Sequence, residues 1–224
     1  MKAVVLLSGG LDSSTTLAIA EDRGYDVHAL TVAYGQRHER EIRSAEKVAG
    51  SFGVVEHRTI ELPEGMLSGS SLTDGEPVPK DSSMKDEGDI PTTYVPARNL
   101  VFLSMALSWA EALDADAVFI GATAVDYSGY PDCRPEFIRS FERTAELGTK
   151  RGVEGRPIQI IAPLIDLKKS QIIRIGKELG LDHGLTWSCY EGGEKACGRC
   201  DSCLYRKKGF REAGIEDPIE YQKG

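Results

Sequence analysis

Ser8-Gly9-Gly10-Leu11-Asp12-Ser13-Ser14 brings two glycines, three hydroxyls and a carboxylate together in one short stretch. Glycine lacks a Cβ, so the backbone N–H groups of such a stretch can approach an anion closely, and the serines add further donors. A phosphate or pyrophosphate is the natural ligand of that donor set. The stretch lacks both the Gly-Lys-Ser/Thr ending of a Walker A loop and the third glycine of a dinucleotide fingerprint. It is therefore a different phosphate loop. The plain alternative is a structural Gly-Gly turn, which does not need an acid and three serines packed around it.

Two further groups carry chemistry. Cys189, Cys197, Cys200 and Cys203 are spaced C-x7-C-x2-C-x2-C. Four thiolates at short spacing, with glycines that let the chain fold round an ion, suit a closed tetrahedral zinc site. The same spacing also permits an iron–sulfur cluster, and two disulfides are the remaining alternative. Between Val125 and Phe137 lie Asp126, Tyr127, Tyr130, Asp132, Cys133 and Arg134. Aromatic rings give a flat heterocycle a stacking surface and carboxylates accept from ring N–H and amino groups, a mix suited to a guanine-like base. Cys133 stands apart from the cluster, and a small buried hydrophobe is the commonest fate of such a residue.

Elements of alternating type must position these residues. Ala3 to Leu7 is an apolar run that reads as a buried parallel strand, and Asp12 to Arg23 reads as a helix with Gly24 past its end. The phosphate loop thus joins a strand to a helix N-terminus, whose orphan N–H groups and dipole favour an anion. Val27 to Ala33 and Val54 to Ile60 read as strands separated by a helix from Arg37 to Phe52. Further on, a strand at 117–120, a helix from Pro135 to about Thr149, a turn at 151–156, a strand at 157–161 and a helix at 168–178 continue the alternation. Such alternation predicts an α/β fold with a doubly wound parallel sheet and ligand at the carboxyl ends of its strands. Lys168 or Lys169, opening the last of these helices, is placed to reach a leaving pyrophosphate.

Pro96-Ala97-Arg98-Asn99 opens an apolar helix from Leu100 to Leu113. Arg98 in its first turn opposes the helix dipole, a local cost that a bound phosphate or substrate carboxylate would offset; pairing with some acid is the alternative. The Pro63 to Pro96 segment is rich in Pro, Gly, Ser and Asp. It reads as a lid or a plain surface insertion, with Lys80 to Glu87 as its mobile tip.

Acidic residues outnumber basic ones by 35 to 27 in a chain of 224, a net charge of −8. That balance favours a small-molecule substrate over nucleic acid. No apolar stretch approaches membrane-span length and no signal peptide is legible, so a cytoplasmic protein is expected, with neither membrane nor direct nucleic-acid partner. A homodimer is compatible with the sequence, which leaves the oligomeric state open.

The Ser8 to Ser14 loop resembles the pyrophosphate loop of the N-type ATP pyrophosphatases, which cleave ATP between its α and β phosphates and adenylate a substrate oxygen. Together with Arg98-Asn99, the Tyr130-Pro131-Asp132-Cys133-Arg134 stretch, Pro163-Leu164 and the four cysteines, it makes nearly the whole chain resemble the 7-cyano-7-deazaguanine synthase family of queuosine precursor biosynthesis. That resemblance implies an ATP pyrophosphatase-type domain over 1–165 and a helical, zinc-binding segment over 166–224. It implies a ligase that converts 7-carboxy-7-deazaguanine and ammonia to the nitrile, with ATP, Mg²⁺ and Zn²⁺ as cofactors. Ser8, Gly9, Gly10, Leu11, Asp12, Ser13, Ser14 and Thr15 would hold ATP, with Asp12 also holding magnesium. Asp12, Ser13 and Arg98 would act in catalysis. Asp126, Tyr127, Tyr130, Asp132 and Arg134 would bind substrate, and Cys189, Cys197, Cys200 and Cys203 would bind zinc. A tRNA-thiolating or other adenylating enzyme of the same superfamily, or a zinc module on a degenerate ATPase scaffold, are the rival readings.

Overall fold

Ala3, Val4 and Val5 are all wholly buried, so both faces of this strand are covered. Only an interior strand of a parallel sheet meets that condition without exposing apolar surface. The computed structural model, which describes residues 1–35, 39–81, 90–123 and 129–222, places it at the centre of the sheet. The strands are β1 (Lys2–Leu6), β2 (Asp26–Ala33), β3 (Glu56–Glu61), β4 (Ala117–Phe119) and β5 (Gln159–Ile161). All pair in parallel, in the order β3-β2-β1-β4-β5, with Val4 opposite both His28 and Val118. The chain winds outward from β1 to β3, then returns to the other side of β1. Connections leaving β1 and β4 therefore diverge, and a crevice opens at the carboxyl ends of these two strands.

The period-two alternation of β1 divides the core. Val4 joins Leu103, Ala106 and Trp109 of α3 (Arg98–Ala112) and Ile138 and Phe141 of α4 (Pro135–Gly148). Ala3 and Val5 face the other way, with Leu17 and Ala20 of α1 (Leu11–Asp22) and Ala45 and Val48 of α2 (Glu39–Ser51). Helix α1 is buried nearly all round, including Ser13, Ser14, Thr15 and Thr16. A helix without a polar stripe needs cover on both sides. The sheet supplies one side, and α6 (Lys169–Glu178) with α7 (Asp201–Ala213) supplies the other through Ile172, Ile173 and Phe210.

The expected elements are present, with two helices added: α7, in the segment expected to be helical but given no range, and a short one after α4. Residues Lys150–Val153, read as a turn, form a short helix, α5, because the Thr149 hydroxyl accepts from the Gly152 N–H at 3.1 Å. The Pro63 to Pro96 segment is built into the body of the protein where it is described. Leu67, Leu72, Val78 and Val95 are buried against Trp187 and the four clustered cysteines. The start of the expected mobile tip is tied down too: Lys80 bridges to Cys200, and Asp81 accepts from Arg199 Nε at 2.8 Å. The rest of that tip, 82–87, lies outside the described residues. Among the described residues no helix is long and apolar enough to cross a membrane.

Candidate active site and cysteine centre

The phosphate loop occupies the crevice at the carboxyl end of β1. Gly9 has φ of +79°, a conformation that only glycine adopts without cost, and it lies directly under α2. A Cβ there would stand 2.4 Å from the Glu41 carbonyl oxygen and 2.5 Å from the Ala45 nitrogen. Gly121, after β4, makes the corresponding approach to the start of α1, with a Cβ position 3.0 Å from the Ser13 nitrogen. Gly10 caps α1 with no side-chain hydrogen bond. The first-turn N–H groups of the helix therefore point into the crevice without an intrahelical partner.

The hydroxyls divide into two sets. Ser13 Oγ accepts from the Ser8 N–H at 3.1 Å and lies 3.0 Å from Ser8 Oγ, which makes a small polar rim at the crevice. Ser14 is turned inward and donates to the Gly10 carbonyl at 2.7 Å, while Thr15 donates to the Leu11 carbonyl at 2.9 Å. These two buried hydroxyls shape the loop from behind. Asp12 stands at the mouth, and Lys169 Nζ lies 2.8 and 2.6 Å from its two carboxylate oxygens. Of the two lysines at the start of α6, Lys169 is the one that meets the loop.

Beyond the loop is a cavity of about 260 Å³. Its walls include Leu30, Thr31 and Val32 at the end of β2, Arg98 and Asn99 at the start of α3, and Tyr34, Glu41, Tyr130, Cys133, Trp187 and Tyr190. Burial opposes the charge of Arg98, but the neighbouring Tyr34 hydroxyl and Cys133 more than compensate and hold the guanidinium firmly protonated. Burial pushes the Tyr34 hydroxyl up, with Arg98 pulling it back. The Glu41 carboxyl is raised by burial to about 7, against the pull of Arg98 and with a further push from Cys189.

The residues expected to bind substrate fall in different places. Tyr130 lines the cavity and its hydroxyl lies 3.0 Å from Thr93 Oγ1. Asp132 is buried and works on α3: its Oδ2 accepts from the Asn99 N–H at 2.9 Å, satisfying one orphan donor of that helix. Asn99 Nδ2 then donates to Cys133 Sγ at 3.0 Å, which orients the thiol at the cavity wall. Arg134 is exposed at the start of α4 and is not among the cavity-lining residues. Asp126 and Tyr127 lie outside the described residues.

Sequence reasoning did not select Tyr34, Glu41 or Trp187. Tyr34 ends a strand and Glu41 sits in a charged helix, neither of which stands out locally. Trp187, an aromatic two positions before Cys189 in a polar stretch, was the legible signal. Its backbone N–H donates to the Gly9 carbonyl at 2.9 Å and its indole N–H to the Cys189 carbonyl at 3.1 Å, so it links the phosphate loop to the cysteine centre. The Arg40 guanidinium covers its outer face at 3.8 Å from the ring centroid.

All four clustered cysteines are buried, with their sulfurs within 4.8 Å of one another. Backbone N–H groups aim at two of them: Glu191 and Cys197 at Cys189 Sγ, 3.4 and 3.3 Å, and Arg199 and Cys200 at Cys197 Sγ, 3.4 and 3.3 Å. Such donors stabilise thiolates and fix their direction, as ligands of a metal require. Hydrogen bonds from Cys200 and Cys203 lower the Cys189 thiol, whereas Cys200 is pushed up to about 12 by donating to it. Four thiolates this close need a cation, and the donor set fits a tetrahedral metal site with no open position. Arg206 of α7 braces the centre from below. It is 1% exposed and bonded to Asp217, to Thr186 Oγ1 at 2.7 Å and to the His183 carbonyl at 3.0 Å. Breaking such a buried pair costs about 3–5 kcal/mol.

A parallel five-stranded sheet with helices on both faces and a glycine–serine loop at its switch point defines a doubly wound α/β fold. Among solved structures, NMN synthetase from Francisella tularensis shares it with a TM-score of 0.52 at 16% identity, over 96% of this chain and 78% of that one. The chain matches the family model described as queuosine biosynthesis protein QueC over residues 2–214, and it belongs to that family. A relative from Desulfatibacillum aliphaticivorans, named 7-cyano-7-deazaguanine synthase, is 58% identical over 98% of this chain and 96% of its own length. One from Azoarcus sp. (strain BH72), with the same name, is 58% identical over 99% and 97%.

Proposed function

We propose that this chain is an ATP-dependent carbon–nitrogen ligase that converts 7-carboxy-7-deazaguanine and ammonia to 7-cyano-7-deazaguanine. The observation that carries the reading is a glycine–serine loop opening onto a cavity with both a half-buried cation, Arg98, and aromatic walls. Full-length similarity to relatives of that name supports it. A carboxylate is a poor electrophile, so its oxygen first attacks the α-phosphorus of ATP and pyrophosphate leaves. Ammonia then displaces AMP, giving the amide and one proton. In the second round the amide oxygen is adenylated with release of pyrophosphate and one N–H proton, and loss of AMP and the remaining N–H proton leaves the nitrile.

The chain's own groups contribute position and charge. Ser8, Gly9, Gly10, Leu11 and Ser13 frame the departing pyrophosphate with N–H groups and hydroxyls, while Ser14 and Thr15 hold the loop's shape. Lys169, ion-paired to Asp12, supplies a cation beside it. Asp12 is the carboxylate that would hold a magnesium ion, whose chemistry is to neutralise phosphate oxygens. Arg98 receives the negative charge of the substrate carboxylate. Asp126, Tyr127 and Tyr130 are the proposed substrate-binding residues of their stretch; Asp132 acts by ordering Asn99 at the start of α3, and Arg134 stands outside the cavity lining. In the cysteine centre we assign zinc to Cys189, Cys197, Cys200 and Cys203, as a structural ion.

Incubation with ATP, ammonium and 7-carboxy-7-deazaguanine is expected to give AMP, pyrophosphate and the nitrile. Asp12→Ala is expected to abolish this while leaving metal content and melting temperature near wild type. Formation of ADP, or absence of substrate-dependent AMP, would overturn the assignment.

A further inference from the structure

The described lining of the cavity contains two carboxylates, Asp12 and Glu41. Asp12 is taken up by Lys169. Glu41 is different: among the described residues its carboxylate has neither a hydrogen bond nor an ion pair. Arg98 and Cys189 act on it through their fields only. Glu41 is half-buried in the cavity wall, so its carboxylate is open to a ligand that brings donors. Its backbone is nonetheless rigid. Glu41 lies in the first turn of α2, and its own backbone is the surface that Gly9 packs against. The Glu41 backbone is therefore held in a set relation to the Ser8–Ser14 loop, and its side chain lines the same cavity as the Tyr34, Trp187 and Tyr190 rings.

The proposed substrate supplies what this group lacks. A 2-amino-4-oxo pyrimidine edge presents a ring N–H next to an exocyclic amino group, two parallel donors that match the two oxygens of one carboxylate. We propose that Glu41 is the specificity-determining residue for the heterocycle, accepting from its ring N–H and its 2-amino group while the rings beside it sandwich the base. This rests on the reaction proposed above. It also gives a role to an acid without a hydrogen bond at the cavity wall: bidentate, charge-assisted hydrogen bonds discriminate strongly, because an analogue lacking one donor leaves an acceptor covered by the base but unsatisfied.

The experiment compares wild type with Glu41→Gln on two substrates, 7-carboxy-7-deazaguanine and its analogue without the 2-amino group, with KM also measured for ammonium and ATP. Wild type is expected to prefer the full substrate by about 10- to 100-fold in kcat/KM. Glu41→Gln is expected to lose most of that preference through KM for the heterocycle, with KM for ammonium and ATP unchanged. A raised KM for ammonium instead would make Glu41 an ammonium site and overturn the inference. So would preserved discrimination in the variant, or a wild type that treats the two substrates within about threefold of each other; this last result stands even if the variant fails to fold. Absence of AMP from wild type with the full substrate would refute the reaction itself, and this inference with it.

Discussion

Gly9 and Gly10 are adjacent in sequence, but the structure assigns them different work, and alanine at each separates steric packing from loop chemistry. At Gly9 the backbone sits at φ +79°, which costs an L-residue about 1–2 kcal/mol. The new Cβ would also lie 2.4 and 2.5 Å from backbone atoms of α2, which cannot rotate aside as a side chain can. Relieving that overlap moves either the loop or the helix, an overpacking cost of about 1–3 kcal/mol. The total is about 2–5 kcal/mol, which for a domain of this size lowers the melting temperature by about 5–15 °C. Gly10 has φ of −76°, and its Cβ position is 3.3 Å from the flexible Ser8 hydroxyl. Gly10→Ala is expected to cost about 1 kcal/mol or less. Thermal unfolding of both variants, with ATP-dependent AMP release measured below the transition, checks the pair. Gly9→Ala should be both less stable and nearly inactive. A Gly9→Ala protein that melts within about 2 °C of wild type and keeps its activity would refute the packing argument.

Cys200→Ser is expected to lose bound metal and melt earlier, whereas Cys133→Ser keeps its metal; metal analysis of both proteins checks this, and retained metal in Cys200→Ser would show a wrong ligand set. His183 provides a pH signature. It is buried with Nε2 unbonded, and its pKa is lowered by burial first and then by the charge of Arg206, against Asp217 and Asp182. The unfolded chain therefore binds this proton more readily than the native one, so stability is full above the unfolded value of about 6.5 and falls as pH drops below it. Between about pH 7.5 and 5.5, wild type should lose more stability than His183→Gln in denaturant titrations, and equal losses would remove His183 as the cause.

Much of the architecture is local information. The β1 run, the glycines after it and the strand–helix alternation dictate a parallel sheet with a phosphate loop at a strand's carboxyl end. This is because burial on two faces and helix-terminal N–H groups depend on neighbours in sequence. The cysteine spacing is legible for the same reason: Cys197, Cys200 and Cys203 are close along the chain, and one short loop brings in Cys189. What the sequence does not contain is direction. Ser14 looks like a phosphate donor but its hydroxyl turns back to Gly10, and Asp132 looks like a base-binding acid but closes the end of α3. Composition marks the Pro63 to Pro96 segment as loose, although Leu67, Leu72, Val78 and Val95 find their core on residues more than ninety positions away.

Glu41, Tyr34, Arg98 and Trp187 meet only because the sheet order brings the end of β2 and the start of α2 beside the start of α3 and the approach to the cysteines. The chemical parts are legible in the sequence alone: a glycine–serine loop, a cluster of four cysteines and an aromatic, acidic stretch. Tertiary structure decided which of those parts face the cavity and which only support it, since a side chain's chemistry is set by its type but its partners are set by long-range packing.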